Sequence, residues 1–100
     1  MPGFNAEVAH SLGQLEATNR LKDFVQQTLQ RFQEHLSAAD GAWNENVLAF
    51  SLTTTGVTVK GTLTVEDKFV RVDGHLPLLA LPFRGTIQNS IVAELTQALA

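Results

Sequence analysis

From Trp43 to Leu76 the chain alternates apolar and polar residues in three successive runs, and this alternation constrains the fold more than any other feature. Leu48, Phe50 and Leu52 share one parity. Val57, Val59, Leu63 and Val65 share the next, with Gly61 in their row; Val70, Val72 and Leu76 follow, with Gly74 in theirs. A period of two belongs to strands buried on one face. The opposite parity holds Ser51, Thr53, Thr58, Lys60, Thr62, Thr64, Arg71, Asp73 and His75, a polar face whose β-branched threonines suit a pleated surface. Turn-forming residues at Thr53-Thr54-Thr55-Gly56 and Glu66-Asp67-Lys68-Phe69 separate the runs and predict two hairpins.

The apolar rows also predict a register. Pairing Leu52 with Val57 sets Phe50 opposite Val59 and Leu48 opposite Gly61. Pairing Val65 with Val70 sets Leu63 opposite Val72, Gly61 opposite Gly74 and Val59 opposite Leu76. A one-residue slip in either hairpin would turn the apolar set to water. Gly61 and Gly74 then lie side by side on the covered face, and two missing side chains leave a dent. Trp43 joins that row if Asn44 to Val47 closes a tight turn. Two readings stay open. The indole or a helix side chain fills the dent, as dense interiors require; or Trp43, Leu48, Gly61, Gly74 and His10 line a small apolar ligand pocket.

On the N-terminal side, Phe4, Ala6 and Val8 alternate as a short strand, and His10 continues their parity. Ser11 and Gln14 fit a capping box ahead of a helix from about Leu12 to about Ala38. Its apolar stripe is Ala17, Leu21, Phe24, Val25, Thr28, Leu29, Phe32 and Leu36, and Glu16 and Arg20 form a favourable i,i+4 pair. Asp40-Gly41 is expected to end this helix and turn the chain toward Trp43. After the sheet, Pro77 and Pro82 exclude a central strand for Leu76 to Phe83, leaving a helical turn, a loop or the kinked start of the last helix. That helix runs from about Thr86 to about Leu99, with Ile87, Ile91, Val92, Leu95, Ala98 and Leu99 as its stripe. The expected fold is α+β: a single two-layer domain over residues 1–100, an antiparallel sheet with two helices on one face, in the order β-α-β-β-β-β-α. The edge that receives the first strand is left open.

One hundred residues suffice for one core without covalent staples. The absence of cysteine excludes disulfides and thiolate zinc sites and fits a reducing compartment. A net charge of −3 offers no broad basic footprint for nucleic acid. Met1-Pro2-Gly3-Phe4 does not open a secretory leader, and the longest apolar stretch, Leu76 to Phe83, is far short of a membrane span. A cytoplasmic protein is expected.

Chemistry is sparse. His75 and Asp73 share the outer sheet face, with Lys60 opposite His75, but two ligands are too few for a metal site. His10 and Ser11 are neighbours in sequence, which does not make a nucleophile and its base. Ser11 reads as a cap; the other reading is a small anion site formed by His10 and the helix N-terminus. No glycine spacing matches a phosphate loop. Neither an enzyme nor a cofactor is expected. Leu78, Leu79, Leu81 and Phe83 either close the core or form an apolar surface for a partner.

The ordered set His10-Ser11-Leu12-Gly13, Ala17, Arg20, Trp43, Phe50, Gly56, Gly61-Thr62-Leu63-Thr64-Val65, Leu76-Pro77 and Phe83-Arg84-Gly85-Thr86-Ile87 resembles the polyhydroxyalkanoic acid system protein family. The resemblance covers nearly the whole chain. It implies a bacterial cytoplasmic protein encoded near genes for polyhydroxyalkanoate storage, and it brings no catalytic residues. Two functions follow as expectations: a non-enzymatic accessory protein that meets the storage granule or a granule protein, or a small module that binds acyl or hydroxyacyl ligands between helices and sheet. A homodimer through the outer sheet face is a third, structural expectation.

Overall fold

The alternating runs pair as the rows demand. Gly3–Ala9 (β1), Ala38–Asn44 (β2), Val47–Thr54 (β3), Val57–Val65 (β4) and Phe69–His75 (β5) form one antiparallel sheet in the spatial order β1-β5-β4-β3-β2. This is a computed structural model that describes residues 3–54 and 56–100, without the side chains of Leu78 and Leu79. β4 is the central strand, and β1 takes the edge beside β5. The helices Gln14–Arg31 (α1) and Arg84–Ala98 (α2) complete the expected order β-α-β-β-β-β-α. The radius of gyration, 13.1 Å, is that of a single folded domain of this length.

One sheet face is covered and the other is open. Phe4, Ala6 and Val8 of β1, Leu63 and Val65 of β4, and Val70 and Val72 of β5 are buried, while their opposite-parity neighbours are exposed or half-buried. Ala17 and Leu21 of α1, and Leu95 and Leu99 at the end of α2, close over them. Each fully buried Val or Leu contributes about 1.5–3 kcal/mol relative to exposure.

The second hairpin has the predicted register: Val65 pairs with Val70, Leu63 with Val72 and Gly61 with Gly74. Its last predicted pair is absent, because β5 ends at His75 and Leu76 leaves the ladder. The first hairpin is shifted by two residues from expectation. Leu48 pairs with Leu63, Phe50 with Gly61, Leu52 with Val59 and Thr54 with Val57. A two-residue shift preserves parity, so burial patterns cannot detect it. The turn decides it: only positions 55 and 56 separate the paired Thr54 and Val57, and Gly56 takes the left-handed φ of 79° that such a tight loop favours.

The N-terminal helix is shorter than its stripe suggested. It ends at Arg31, a 3₁₀ turn spans Gln33–His35, and Leu36 is already extended. Ala38-Ala39-Asp40-Gly41 is therefore strand, not the end of a helix and a turn. Leu36 is the last apolar residue at helical spacing, and the ladder against β3, from Ala38–Thr53 to Asn44–Val47, supplies backbone partners that a helix of small residues would not better. Leu76 to Phe83 resolves into a 3₁₀ helix, Leu78–Phe83, that runs directly into α2.

The helix start also differs. Gly13, with φ 83°, is the N-cap residue of α1, and no side chain at that position caps it. Ser11 is exposed and lies outside the helix. The carboxylate of Asp67, in the β4–β5 turn, accepts the Gln14 backbone N–H at 3.3 Å instead. A capping carboxylate 53 residues away in sequence is invisible to a local motif. Asp67→Ala is expected to cost about 0.5–1 kcal/mol through the lost cap, whereas Ser11→Ala is expected to be neutral; urea unfolding of the two variants checks both.

Candidate functional site

The dent exists, and two phenylalanines occupy it. Across the covered face one row runs Gly41–Phe50–Gly61–Gly74–Phe4, through four strand pairings. A side chain begun at Gly74 would strike the Phe4 ring, and one begun at Gly61 would come within 2.9 Å of Phe50 Cζ. The two rings therefore reach in from either side over the backbone the glycines expose. The two-residue shift of the first hairpin is what brings Phe50, rather than Leu48, opposite Gly61. It also moves Trp43, which pairs with Leu48, into the adjacent row. Neither the indole nor a helix side chain is the filler; the signal for Phe50 was its parity, and what was missing was the turn length.

An open groove of about 500 Å³ borders this row. Gly61 and Gly74 line it together with Phe4, Phe50, Lys60, His75 and Arg84, among others; Trp43, Leu48 and His10 do not. Leu48 is buried in the core, and Trp43 is half-buried with the Lys22 ammonium 5.7 Å from its ring. The five residues predicted as one pocket thus belong to three places.

His10 is held by backbone on every side. Its own N–H donates to the Lys68 carbonyl at 2.9 Å. Its Nδ1 accepts the Leu12 N–H at 3.2 Å, so the ring proton sits on Nε2, which donates to the Glu66 carbonyl at 3.0 Å. Gln14 joins the same seam, donating from Nε2 to the Val65 carbonyl at 3.0 Å, and Asn46 donates to that carbonyl at 2.8 Å. The His10 and Gln14 bonds stitch the β1–α1 loop and the start of α1 to the end of β4 and the β4–β5 turn, and Asn46 ties the β2–β3 turn to the same carbonyl. His10 is engaged on both ring nitrogens and presents neither to a ligand.

The remaining histidines stay apart. His35 lies in the 3₁₀ turn after α1, and His75 faces Lys60 on the open sheet face, as its register predicted. Among the described residues no three His, Asp or Glu side chains converge as a metal site needs. Glu16 and Arg20 form their ion pair at 3.3 Å, exposed on α1.

The Leu76 to Phe83 segment divides. Leu76 and Ala80 are buried, Leu81 is half-buried, and Phe83 is 61% exposed. The predicted surface residues Leu78 and Leu79 have side chains outside the described residues. Phe83 has company: among the described residues, Leu15, Phe32 and Val92 are the other large apolar residues in the open. All four belong to the helical layer, and none to the sheet.

Residues 5–99 match the model of a family described as putative polyhydroxyalkanoic acid system protein. The chain belongs to that family. The comparison with curated proteins finds no match. The family's span takes in both helices and all five strands, apart from the first residues of β1, so membership attaches to the whole layered fold rather than to one motif. Among the described residues of this family member, no helix is long and apolar enough to cross a membrane.

Proposed function

We propose that the protein is a non-enzymatic accessory component of polyhydroxyalkanoate storage that meets the granule through its helical layer. The observation that carries this reading is the one-sided placement of its exposed apolar side chains. Leu15, Phe32, Phe83 and Val92 lie on the helices and their ends, whereas the outer sheet face is threonine-rich, with Lys60, Arg71, Asp73 and His75 exposed along it. Large exposed apolar residues gathered on one layer suit an apolar partner, and a polyester particle or a protein on its surface is such a partner. The charged sheet face then remains toward water. The ligand-binding alternative is weaker, since Phe4 and Phe50 take the space over the glycines that an acyl chain would need.

The test is co-sedimentation with isolated granules. The triple variant Leu15→Ser, Phe83→Ser, Val92→Ser is expected to keep its circular dichroism spectrum and to lose at least tenfold in the sedimenting fraction. A control at Thr62, on the sheet face, is expected to sediment as the unmodified protein does. A folded triple variant that still sediments fully would rule out this surface. Leu81 is a poorer target than the sequence suggested, because it is half-buried and its loss would disturb the core.

A further inference from the structure

The two edges of the sheet are treated differently. β1 is covered by α2, whose Gln88 amide donates to the Asn5 carbonyl at 3.1 Å. β2 is the other edge, and six of its seven residues are exposed; Trp43 alone is half-buried. Natural edge strands are blunted by lysine, proline, bulges or covering elements. Ala38-Ala39-Asp40-Gly41-Ala42-Trp43-Asn44 has none of the first two, pairs with β3 in unbroken register, and carries a single charge. The backbone edge that faces away from β3 has no strand beside it, and the small side chains at Ala38, Ala39, Gly41 and Ala42 leave room for one.

We propose that β2 pairs antiparallel with β2 of a second copy, about a two-fold axis at Gly41, to make one continuous ten-stranded sheet. The partner is chosen by self-complementarity. Centring on Gly41 pairs all seven residues and sets Ala39 opposite the second copy's Trp43, and Asp40 opposite its Ala42. Ala39, Gly41 and Trp43 share the covered-side parity, since they pair with Leu52, Phe50 and Leu48. Beside Ala39 lies a groove of about 350 Å³ whose walls include Leu29 and Leu36. The pairing delivers an indole there, large against small, and once from each copy. Centring on Asp40 would instead face two carboxylates directly, which is destabilising. Centring on Ala42 would pair only five residues and leave the groove at Ala39 empty.

The same pairing accounts for the half-covered end of α1. Phe24, Val25, Thr28 and Leu29 are half-buried and Phe32 is exposed, although Ala17, Thr18 and Leu21, earlier on the same helix, are buried. That end borders β2 through Leu29 and Leu36, so the indole of a second copy would dock against it. Residues directly opposite in an antiparallel pair share a face, so both helical layers emerge on one side of the joined sheet.

The absence of native cysteine makes the axis directly testable. Opposed residues have Cα atoms about 4.5–5.5 Å apart, within the reach of a disulfide. Gly41→Cys is expected to cross-link to a covalent dimer under mild oxidation, after a small shift of Leu48 Cδ1, which lies 3.3 Å from the added Cβ. Ala42→Cys, diagonal to its copy at about 7–8 Å, is expected to stay largely monomeric on denaturing gels. Light scattering of the unmodified protein should give twice the chain mass, and Ala39→Lys, at an exposed position, should give the single mass with an unchanged dichroism spectrum. A unmodified chain that remains monomeric at hundreds of micromolar overturns the proposal. So does a dimer that Ala39→Lys leaves intact, which would point to another surface such as the outer sheet face. Neither readout involves granules, so this proposal and the functional reading fail separately.

Discussion

Gly61→Ala is expected to destabilise the protein by about 1–3 kcal/mol or more, the range for forcing atoms into a packed interior. The sign is the informative part. Glycine inside a strand is ordinarily a liability of about 0.5–1 kcal/mol relative to alanine, so the usual outcome is stabilisation. Here an added methyl would strike the Asp73 carbonyl of β5 and approach Gly74 Cα at 2.9 Å. Both are backbone atoms of the strand paired with β4 at the centre of the sheet, and neither can retreat without opening the ladder. The third neighbour, Phe50 Cζ at 2.9 Å, can rotate, but it does not relieve the other two. At roughly 4–8 °C for each kcal/mol in a domain of this size, thermal unfolding should fall well below that of the unmodified protein. Gly85, near the start of α2, is the matched contrast: nothing lies within 4 Å of its added methyl. Gly85→Ala is expected to raise the midpoint, in keeping with about 1 kcal/mol of helix propensity. A Gly61→Ala midpoint at or above that of the unmodified protein would mean that the two rings and the β5 backbone are not where the row places them.

Leu21→Ala is expected to have the larger effect, about 2–5 kcal/mol. Leu21 is fully buried and is the residue by which α1 reaches the core, with Ala17 one turn before it. Its loss removes apolar burial and leaves a cavity in the core where α1 meets β4 and α2. Against a total stability of about 5–15 kcal/mol for a domain, the variant is expected to be partly unfolded at 37 °C. Phe32→Ala, on the same stripe but 41% exposed, is expected to change stability by less than about 1 kcal/mol. Denaturant titration of the pair tests whether α1 is anchored by its first turns alone. Equal losses at the two positions would show that the far end of the helix is packed as tightly as the near end.

The parity of the rows was legible because it depends only on which side of each residue meets water. Alternation from Leu48 to Leu76 and in Phe4–Val8, and the spacing of Ala17, Leu21, Leu95 and Leu99, placed these side chains on the covered face, where they lie. The Gly61–Gly74 pairing was legible from the turn signal between Val65 and Val70, which set the register that parity alone leaves open. The first hairpin had two registers of equal parity, and they assign Gly61 to different partners. Whether that row ends in a pocket or in a pair of phenylalanine rings turned on this shift, which brings Phe50, and on the edge taken by β1, which brings Phe4.

Other features were settled only by contacts between distant parts of the chain. Asp67 caps α1, His10 is held by Glu66 and Lys68, and Ala38–Gly41 becomes strand because β3 is beside it. In each case the local chain allowed more than one state, with Ser11, an open histidine or a longer helix as the alternative. Local free energies at such positions differ by about 1 kcal/mol or less, so a single tertiary hydrogen bond or ladder is enough to choose. Hydrophobic patterning sums over many residues and survives that scale; the placement of caps, turns and glycines does not, and it was the folded arrangement that decided them.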